Sequence, residues 1–438
     1  MKNIITQLEN YMNRLEENGY FSGSVLVGYK GDILLSRGYG WSNIEHAVPN
    51  TAQTKYRIGS ITKGFTAMAI LQLQEQGLLS VREPIHHYLP DFPKGDQITI
   101  HHLLTHTSGI PDFVQFPDYW TRMMRLPSTL DQTIDLFKNL PLEFMPGEQF
   151  SYCTSSYILL TKLIERLSHQ SYADFLQKSI FNPLHMQETG VDNGRTIVHK
   201  LASGYSVWKE IIHAEHVDMS IPVGGYGLYS TARDLYRWDQ ALYTYELVSY
   251  ESLQSMFTPY SNNYGYGWAI QPVKIGDKSH VCISHYGDIN GFCGNMLRFV
   301  NDHLTIIVLS NLSITPVTWI GKNLARLFFG ERISIPEAAT PIDLKENELQ
   351  RFIGTYQLEN SDRKLTITYE EGQLYVNVTK MHGAPFQYPI KPVSLTEDTI
   401  RLRAEYIDET IVFYRKRTPA QLSYRETDQT HLAYWVKD

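Results

Sequence analysis

Apolar residues recur at the three- to four-residue spacing of amphipathic helices in several stretches of the chain. The spacing predicts helices over residues 3–17, 61–76, 156–167 and 315–329. Pro316 stands near the start of the last helix, where its missing N–H does not break a helical hydrogen bond. Between about residues 80 and 220 the pattern is mostly helical, with loops marked by proline and glycine.

Runs of apolar and β-branched residues predict strands on both sides of this helical stretch. They cover residues 24–27, 33–35, 265–270, 295–300 and 304–309. Turn residues at 30–32 and 301–302 predict two hairpins. The strands of 20–40 and 265–310 must then meet in one sheet. The expected fold class is α/β, with an antiparallel sheet flanked by the terminal helices and a helical subdomain inserted between its strands.

Residues 331–345 are rich in proline and alanine and read as a linker. After the linker, short alternating strands with regular turns predict a small all-β antiparallel barrel. A chain of 438 residues is long enough for two hydrophobic cores. We therefore predict two domains, residues 1–335 and residues 345–438.

The amino-acid composition argues against a nucleic-acid-binding protein, a disulfide-stabilised protein and a membrane-spanning protein. A formal net charge of −7 gives no basic face for a nucleic-acid partner. The three cysteines, none in a Cys-x-x-Cys pair, argue against a disulfide framework. Residues 1–18 mix charged and apolar side chains unlike a signal peptide, and no apolar run approaches the ~20 residues of a membrane span. The expected location is cytoplasmic, with a trimmed export signal as the open alternative.

The first candidate chemistry is a serine and a lysine three residues apart, which share one face of a helix. A lysine so placed can take the proton of a serine hydroxyl, which is otherwise a poor nucleophile. The spacing occurs three times, at Ser60/Lys63, Ser206/Lys209 and Ser361/Lys364. The second copy reads as a strand and the third as a turn, so only the first heads a helix. Taken alone, that serine could also be a helix N-cap.

Two further motifs follow Ser60 and Lys63 in order. Tyr152-Cys153-Thr154 follows a Pro-Gly turn and precedes a helix, and His285-Tyr286-Gly287 stands between strand signals. In this order the chain resembles the serine β-lactamase and penicillin-binding-protein superfamily, in its class C-like branch. That family carries Ser-x-x-Lys, then Tyr-x-Asn, then Lys-Thr-Gly or His-x-Gly. The likeness covers about residues 20–330, including stretches 103–109, 182–186 and 224–235, and residues 352–356 resemble a lipocalin-like accessory domain.

The resemblance implies a serine hydrolase that needs no cofactor or metal and forms an acyl-enzyme on small-molecule or peptide substrates with an ester or amide carbonyl. Carboxylesterase, D-amino-acid peptidase (including carboxypeptidase) and weak β-lactamase activities all fit this expectation. The alternative is a penicillin- or peptidoglycan-fragment-binding protein that acylates slowly or not at all. The resemblance implies that Ser60 is the nucleophile and Lys63 the general base. Tyr152 would relay protons through a phenolate, and His285 would support catalysis. The backbone of Ser60 and Asp288 would form the oxyanion hole, and the substrate would contact Thr154, Tyr286 and Gly287.

Two positions depart from the family pattern, and His285 is the histidine form of its third motif. Thr154 replaces asparagine, and we expect it to hydrogen-bond Lys63 without offering an amide to the substrate. Tyr286 replaces a small hydroxyl residue, so we expect its ring to fill the space of a substrate carboxylate. His285 replaces a permanent ammonium with a group whose ordinary pKa is ~6.5. We therefore expect a His285-dependent change in activity between about pH 5.5 and 7.5.

Three other readings stay open at this point. Tyr260-Ser261-Asn262 is a literal Tyr-x-Asn in the right order, but the turn and helix around Tyr152 favour the earlier motif. His102 and His106 have the spacing of helical metal ligands, without a third ligand nearby. Cys153 adjoins the motif tyrosine, and a buried inert thiol is favoured there over an oxidant-sensitive one.

Overall fold

The computed structural model describes residues 1–336, 340–379, 385–416, 421–427 and 429–436. Its helices are α1 Lys2–Glu17, α2 Thr62–Glu75, α3 Ile100–Leu104, α4 Leu130–Asp135, α5 Thr154–Ser168, α6 Tyr172–Leu176, α7 Val223–Tyr226, α8 Ala232–Ala241, α9 Tyr250–Met256, α10 Val317–Phe328 and α11 Glu346–Leu349. The four helices predicted from periodicity therefore form α1, α2, α5 and α10, each displaced by no more than a few residues.

The first thirteen strands are β1 Gly23–Tyr29, β2 Asp32–Tyr39, β3 Trp41–Asn43, β4 Val48–Pro49, β5 Tyr56–Arg57, β6 Gly190–Val191, β7 Tyr205–Trp208, β8 Glu210–His213, β9 Leu228–Ser230, β10 Ala269–Ile275, β11 Lys278–Ile289, β12 Phe292–Phe299 and β13 Leu304–Ser310. The stretch of residues 80–220 is less helical than predicted, because short helices alternate there with turns and with β6, β7 and β8. The predicted start of the strand at 265–270 is also wrong. It begins only at Ala269, since Gly267 takes a φ of +77° in the preceding loop.

A six-stranded antiparallel sheet forms the centre of the N-terminal region, in the order β10-β11-β12-β13-β1-β2. It joins the strands of 20–40 to those of 265–310, as predicted. The central strand β13 is buried along its whole length, which accounts for its unbroken apolar sequence. Helices α1 and α10 cover one face, and α2 and α8 belong to the core on the other face. The predicted α/β arrangement with an antiparallel sheet is confirmed.

The later strands are β14 Gly354–Leu358, β15 Lys364–Glu370, β16 Gln373–Thr379, β17 Pro385–Leu395, β18 Thr399–Ala404, β19 Glu409–Tyr414, β20 Gln421–Glu426 and β21 Gln429–Val436. These eight strands form an antiparallel barrel that closes through the pairing of β16 with β17. The hairpin of β7 and β8 extends the same sheet by pairing with β17. The predicted C-terminal barrel is confirmed, while its lipocalin likeness and the division into two domains stay predictions.

In the ranges that the structure describes, no helix has both the length and the apolar character needed to cross a membrane. The expected cytoplasmic location stays a prediction.

Candidate active site

Ser60 and Lys63 lie where a short helical turn, Gly59–Ile61, runs into helix α2. The Nζ of Lys63 lies 3.0 Å from the Oγ of Ser60, and it also lies 3.0 Å from the carbonyl oxygen of Gly225 in α7. Lys63 is fully buried, whereas Ser60 is half-buried. The helix therefore places the proposed base, which is itself shielded from solvent, in contact with a serine that stays partly exposed.

The pKa of Lys63 is lowered to about 8, chiefly because burial removes water from its ammonium form. The negative charges of Asp112 and Asp288 oppose this shift. The rings of Tyr152 and Tyr157 lie 4.8 Å and 5.4 Å from the Nζ atom and also favour the cation. Near neutral pH a useful fraction of Lys63 is thus uncharged, which a general base requires.

The acceptor beside Lys63 is a backbone group and not the motif side chain. Thr154 begins helix α5 and is buried. A Cβ placed on Gly225 would lie 3.0 Å from the Cγ2 of Thr154, so the threonine presents its methyl group to α7. Across the described residues, the side-chain hydrogen bonds of Lys63 go to Ser60 and Gly225. The expected hydrogen bond from Lys63 to Thr154 is therefore wrong.

Tyr152 lies beside the same pair, with its ring centroid 4.8 Å from the Nζ of Lys63. Burial raises the pKa of Tyr152 well above its ordinary value, and the nearby hydroxyl of Ser60 offsets only part of this shift. The side chain is consequently a neutral phenol, which corrects the expectation of a phenolate. The alternative tyrosine, Tyr260, stacks on Tyr266 with ring centroids 5.2 Å apart and donates its hydroxyl to the carbonyl of Ser255. The structure thus brings Tyr152, and not Tyr260, to the serine.

His285 lies on strand β11 and is buried against Tyr264 from the loop before β10. Its Nε2 is 2.8 Å from the hydroxyl of Tyr264, and its Nδ1 is 2.5 Å from the carbonyl oxygen of Tyr286. Burial, together with the nearby charge of Lys63, lowers the pKa of His285 to about 3. The expected change in its charge between about pH 5.5 and 7.5 is wrong, because the ring is already neutral throughout that range.

The backbone of β11 passes very close to the start of helix α2. A Cβ on Gly287 would lie 2.1 Å from the carbonyl oxygen of Ile58 and 2.9 Å from the backbone nitrogen of Ser60. A Cβ on Gly59, whose φ is +52°, would lie 2.4 Å from the backbone nitrogen of Asp288. Only glycine fits at either position. The backbone nitrogens of Ser60 and Asp288 lie on the two segments that approach each other here.

Tyr286 projects from β11 in the opposite direction to His285, because successive strand residues face opposite sides of a sheet. Its ring packs against the cluster that lines helices α1 and α10. Burial raises the pKa of its phenol well above the ordinary value. The substrate contact expected for Tyr286 stays a prediction, and any such contact must be made from the α10 side of the strand.

Tyr264, Gly225 and Asp112 belong to this site but were not identified from the sequence. Tyr264 lay in a run of aromatic residues and glycines that resembles a strand. Gly225 acts through its backbone carbonyl, and such a contact cannot be recognised from the side chains in a sequence. Asp112 accepts a hydrogen bond from the backbone N–H of Ser155, 3.3 Å away, and burial raises its pKa to about 6.

The remaining candidates have other roles. Ser206 lies in β7, and Ser361 lies in the turn before β15, so neither heads a helix. The Nδ1 of His102 accepts the N–H of Thr99, and the Nδ1 of His106 accepts the N–H of Cys153. Among the described residues, no group of three His, Cys, Asp or Glu side chains could hold a metal ion. Burial raises the pKa of the Cys153 thiol to about 12, which makes it an inert group.

The sequence profile of the family described as Beta-lactamase matches residues 7–329, about three quarters of the chain. The chain belongs to the beta-lactamase family. The match spans all the residues of the site described above and ends before the barrel.

Relatives of this beta-lactamase family member include penicillin-binding protein 4* of Bacillus subtilis strain 168, which is 30% identical over 85% of this chain and 87% of its own length. The octameric penicillin-binding protein homologue from Pyrococcus abyssi is 26% identical, with a TM-score of 0.67 over 98% of this chain and 99% of that one. D-Amino acid amidase from Ochrobactrum anthropi SV3 is 23% identical, with a TM-score of 0.65 over 74% of this chain and 100% of that one, and shares the fold.

Proposed function

We propose that this chain is a serine hydrolase that cleaves esters or amides through an acyl-enzyme on Ser60. Members of its family are serine hydrolases. The observation that carries the proposal is the 3.0 Å contact between the Oγ of Ser60 and the Nζ of a fully buried lysine, Lys63. A lysine whose pKa is lowered to about 8 can accept the serine proton at neutral pH.

In acylation, neutral Lys63 takes the hydroxyl proton as the Oγ of Ser60 bonds to the substrate carbonyl carbon. The negative charge that develops on the carbonyl oxygen would be met by the backbone N–H groups of Ser60 and Asp288. Tyr152, as a phenol, gives its proton to the leaving alkoxide or amine and regains one from Lys63. The C–O or C–N bond of the substrate then breaks, and Lys63 is neutral again.

Deacylation runs through the same groups. Water bonds to the acyl carbon while its proton passes through Tyr152 to Lys63. The bond from the acyl carbon to the Oγ of Ser60 then breaks, and Lys63 returns a proton to that oxygen. The site needs no other acid or base, since His285 is neutral and hydrogen-bonded within the protein.

As substrate class we propose esters and amides of D-amino acids. The support is the family membership and the fold shared with D-amino acid amidase. A second candidate function is slow acylation with retention of the acyl group, as in a penicillin-binding protein. It is favoured by Thr154, which presents a methyl group where the family motif has an amide.

Hydrolysis of a short-chain activated ester tests the proposal. We expect Ser60→Ala to lower kcat/KM by at least about 10³-fold, because Ser60 supplies the hydroxyl that is hydrogen-bonded to Lys63 in the described residues. Ser361→Ala is the matched control, since it removes the serine of a Ser-x-x-Lys that lies in a turn. Equal turnover by wild type and Ser60→Ala would overturn the proposal. A rapid burst followed by very slow turnover would favour the second candidate function.

The pH dependence of kcat/KM should follow Lys63. Between about pH 6.5 and 8 we expect a total increase of more than about tenfold, steepest at the lower end, because protonated Lys63 cannot act as the base. Above about pH 8 the profile should level off, at the pKa to which burial lowers this lysine. His285 should add no step of its own. A profile that is flat from pH 6.5 to 9 would contradict Lys63 as the base.

A further inference from the structure

His106 is fully buried and follows helix α3 in a left-handed backbone conformation, with a φ of +58°. This conformation is uncommon outside glycine, although histidine and asparagine adopt it more often than most other residues. A residue that keeps such a conformation inside a protein is fixed there by its surroundings. For His106 those surroundings include the segment that carries Tyr152.

His106 contacts three consecutive residues of that segment. Its carbonyl oxygen accepts the backbone N–H of Ser151 across 2.9 Å, and its Nδ1 atom accepts the backbone N–H of Cys153 across 3.0 Å. Between these two hydrogen bonds, its ring lies against the ring of Tyr152, with the ring centroids 4.2 Å apart. One residue thus holds the tyrosine ring and the peptide groups on both sides of it.

The hydrogen bond from Cys153 also defines the protonation state of His106. A backbone N–H can only donate, so Nδ1 is unprotonated and the neutral ring carries its proton on Nε2. Burial, reinforced by the charge of Lys63, lowers the pKa of His106 well below its ordinary value. His106 therefore remains a neutral hydrogen-bond acceptor at the pH at which Lys63 acts as a base.

On the basis of the proposed function of Ser60, we propose that His106 is a positioning residue for Tyr152 and holds the tyrosine hydroxyl where the leaving group needs a proton. When the C–O bond of an ester breaks, the hydroxyl proton of Tyr152 moves to the departing alkoxide. Lys63 then gives Tyr152 the proton that it took from Ser60. A displacement of about 1 Å can slow such a transfer by about 10²-fold. Attack by Ser60 needs only Lys63 and would continue.

Two esters of one acid that differ in their leaving group separate these steps. Nitrophenolate leaves p-nitrophenyl butyrate as a stable anion, whereas the ethoxide of ethyl butyrate has to be protonated. The quantity to measure is kcat/KM for the ethyl ester divided by kcat/KM for the nitrophenyl ester. We expect Tyr152→Phe to lower this ratio by about 10²-fold or more and His106→Leu to lower it by about tenfold or more. In both variants kcat/KM for the nitrophenyl ester should stay within about threefold of wild type, because that ester needs no acid.

A double variant and a matched control show whether His106 acts through the tyrosine. Tyr152→Phe combined with His106→Leu should have the ratio of Tyr152→Phe alone, because a positioning residue has no effect once the hydroxyl is gone. His102→Leu is the control. The Nδ1 of His102 also accepts a backbone N–H, but that of Thr99 at the start of α3, 3.2 Å away. Its loss should leave the ratio unchanged, since a merely structural effect lowers both ester rates together.

The outcomes distinguish the role of His106 from the proposed function. Ser60-dependent turnover with a wild-type ratio in folded His106→Leu, or with a further fall of the ratio in the double variant, overturns the role of His106 alone. The same holds if wild type cleaves the nitrophenyl ester through Ser60 but not the ethyl ester. Nitrophenyl ester turnover that persists in Ser60→Ala, or that is absent from wild type, overturns the proposed function and the role of His106 together.

His106→Asn decides the question if His106→Leu does not fold. Asparagine suits the left-handed backbone and keeps an acceptor near the position of Nδ1, but it removes the ring from Tyr152. We expect this variant to lower the ratio by about threefold or more, because the tyrosine ring loses its closest neighbour. A folded His106→Asn protein with the wild-type ratio would then overturn the positioning role.

Discussion

Replacing Lys63 with methionine is expected to lower kcat/KM for an activated ester by about 10²–10⁴-fold, the usual contribution of a general base. The hydroxyl of Ser60 would then keep its proton, because neither neighbouring group can accept it. His285 is hydrogen-bonded within the protein, and Tyr152 is a neutral phenol. The rise in activity towards about pH 8 should disappear with the base. Methionine has a similar length and is apolar, so removing the buried ammonium should leave the fold intact.

The matched control for this variant is Lys364→Met. Lys364 belongs to another Ser-x-x-Lys, but it is exposed at the start of β15 in the barrel. Its loss should leave both kcat/KM and the pH profile unchanged. If Lys63→Met folds and retains activity within tenfold of wild type, with the same rise towards pH 8, the assignment of the base is wrong.

Gly287→Ala is expected to lower kcat by about 10²–10³-fold, comparable to the loss of one oxyanion-hole donor. The new Cβ would lie 2.1 Å from the carbonyl oxygen of Ile58 and 2.9 Å from the backbone nitrogen of Ser60. Both are backbone atoms, so the contact is relieved only when β11 moves away from the turn that carries the serine. That movement separates the two backbone N–H groups proposed to bind the oxyanion.

Gly294→Ala controls for a methyl group added to the same pair of strands. Gly294 is the cross-strand partner of Gly287 on β12. Its new Cβ would meet side-chain atoms, 2.8 Å from Leu309 and 3.4 Å from Ile61, and these can turn aside. We expect a stability loss of about 1–3 kcal/mol from overpacking and little change in kcat. Equal loss of kcat in both variants would contradict the specific role of the approach at Gly287.

The sequence predicts those parts of the site that depend on local spacing. Ser60 and Lys63 share a helix, so their separation follows from helical geometry alone. The long helices and the hairpin strands follow from hydrophobic periodicity in the same way. The turn and helix next to Tyr152 favour it over Tyr260, and that context is also local. Each of these predictions needs only a few consecutive residues.

The parts that the sequence did not predict depend on contacts between distant segments. The low pKa of His285 follows from burial and from the charge of Lys63 on helix α2, which is distant in the sequence. The partner of Lys63 is the carbonyl of Gly225, 162 residues away, and not the side chain of Thr154. Residues 265–268 alternate glycine with aromatic residues as a strand would. They form a loop instead, in which Gly267 takes a φ of +77° and lies so close to helix α2 that a Cβ there would be 2.7 Å from the carbonyl oxygen of Lys63.

The intact mass of the protein after rapid acid quenching of its reaction with an activated short-chain ester tests the central claim most directly. The account predicts a single added acyl group on wild type, located by peptide mapping on the segment that contains Ser60, and no such addition on Ser60→Ala. An acyl group of the same mass and yield on Ser60→Ala, or one mapped to a different residue in wild type, would contradict it.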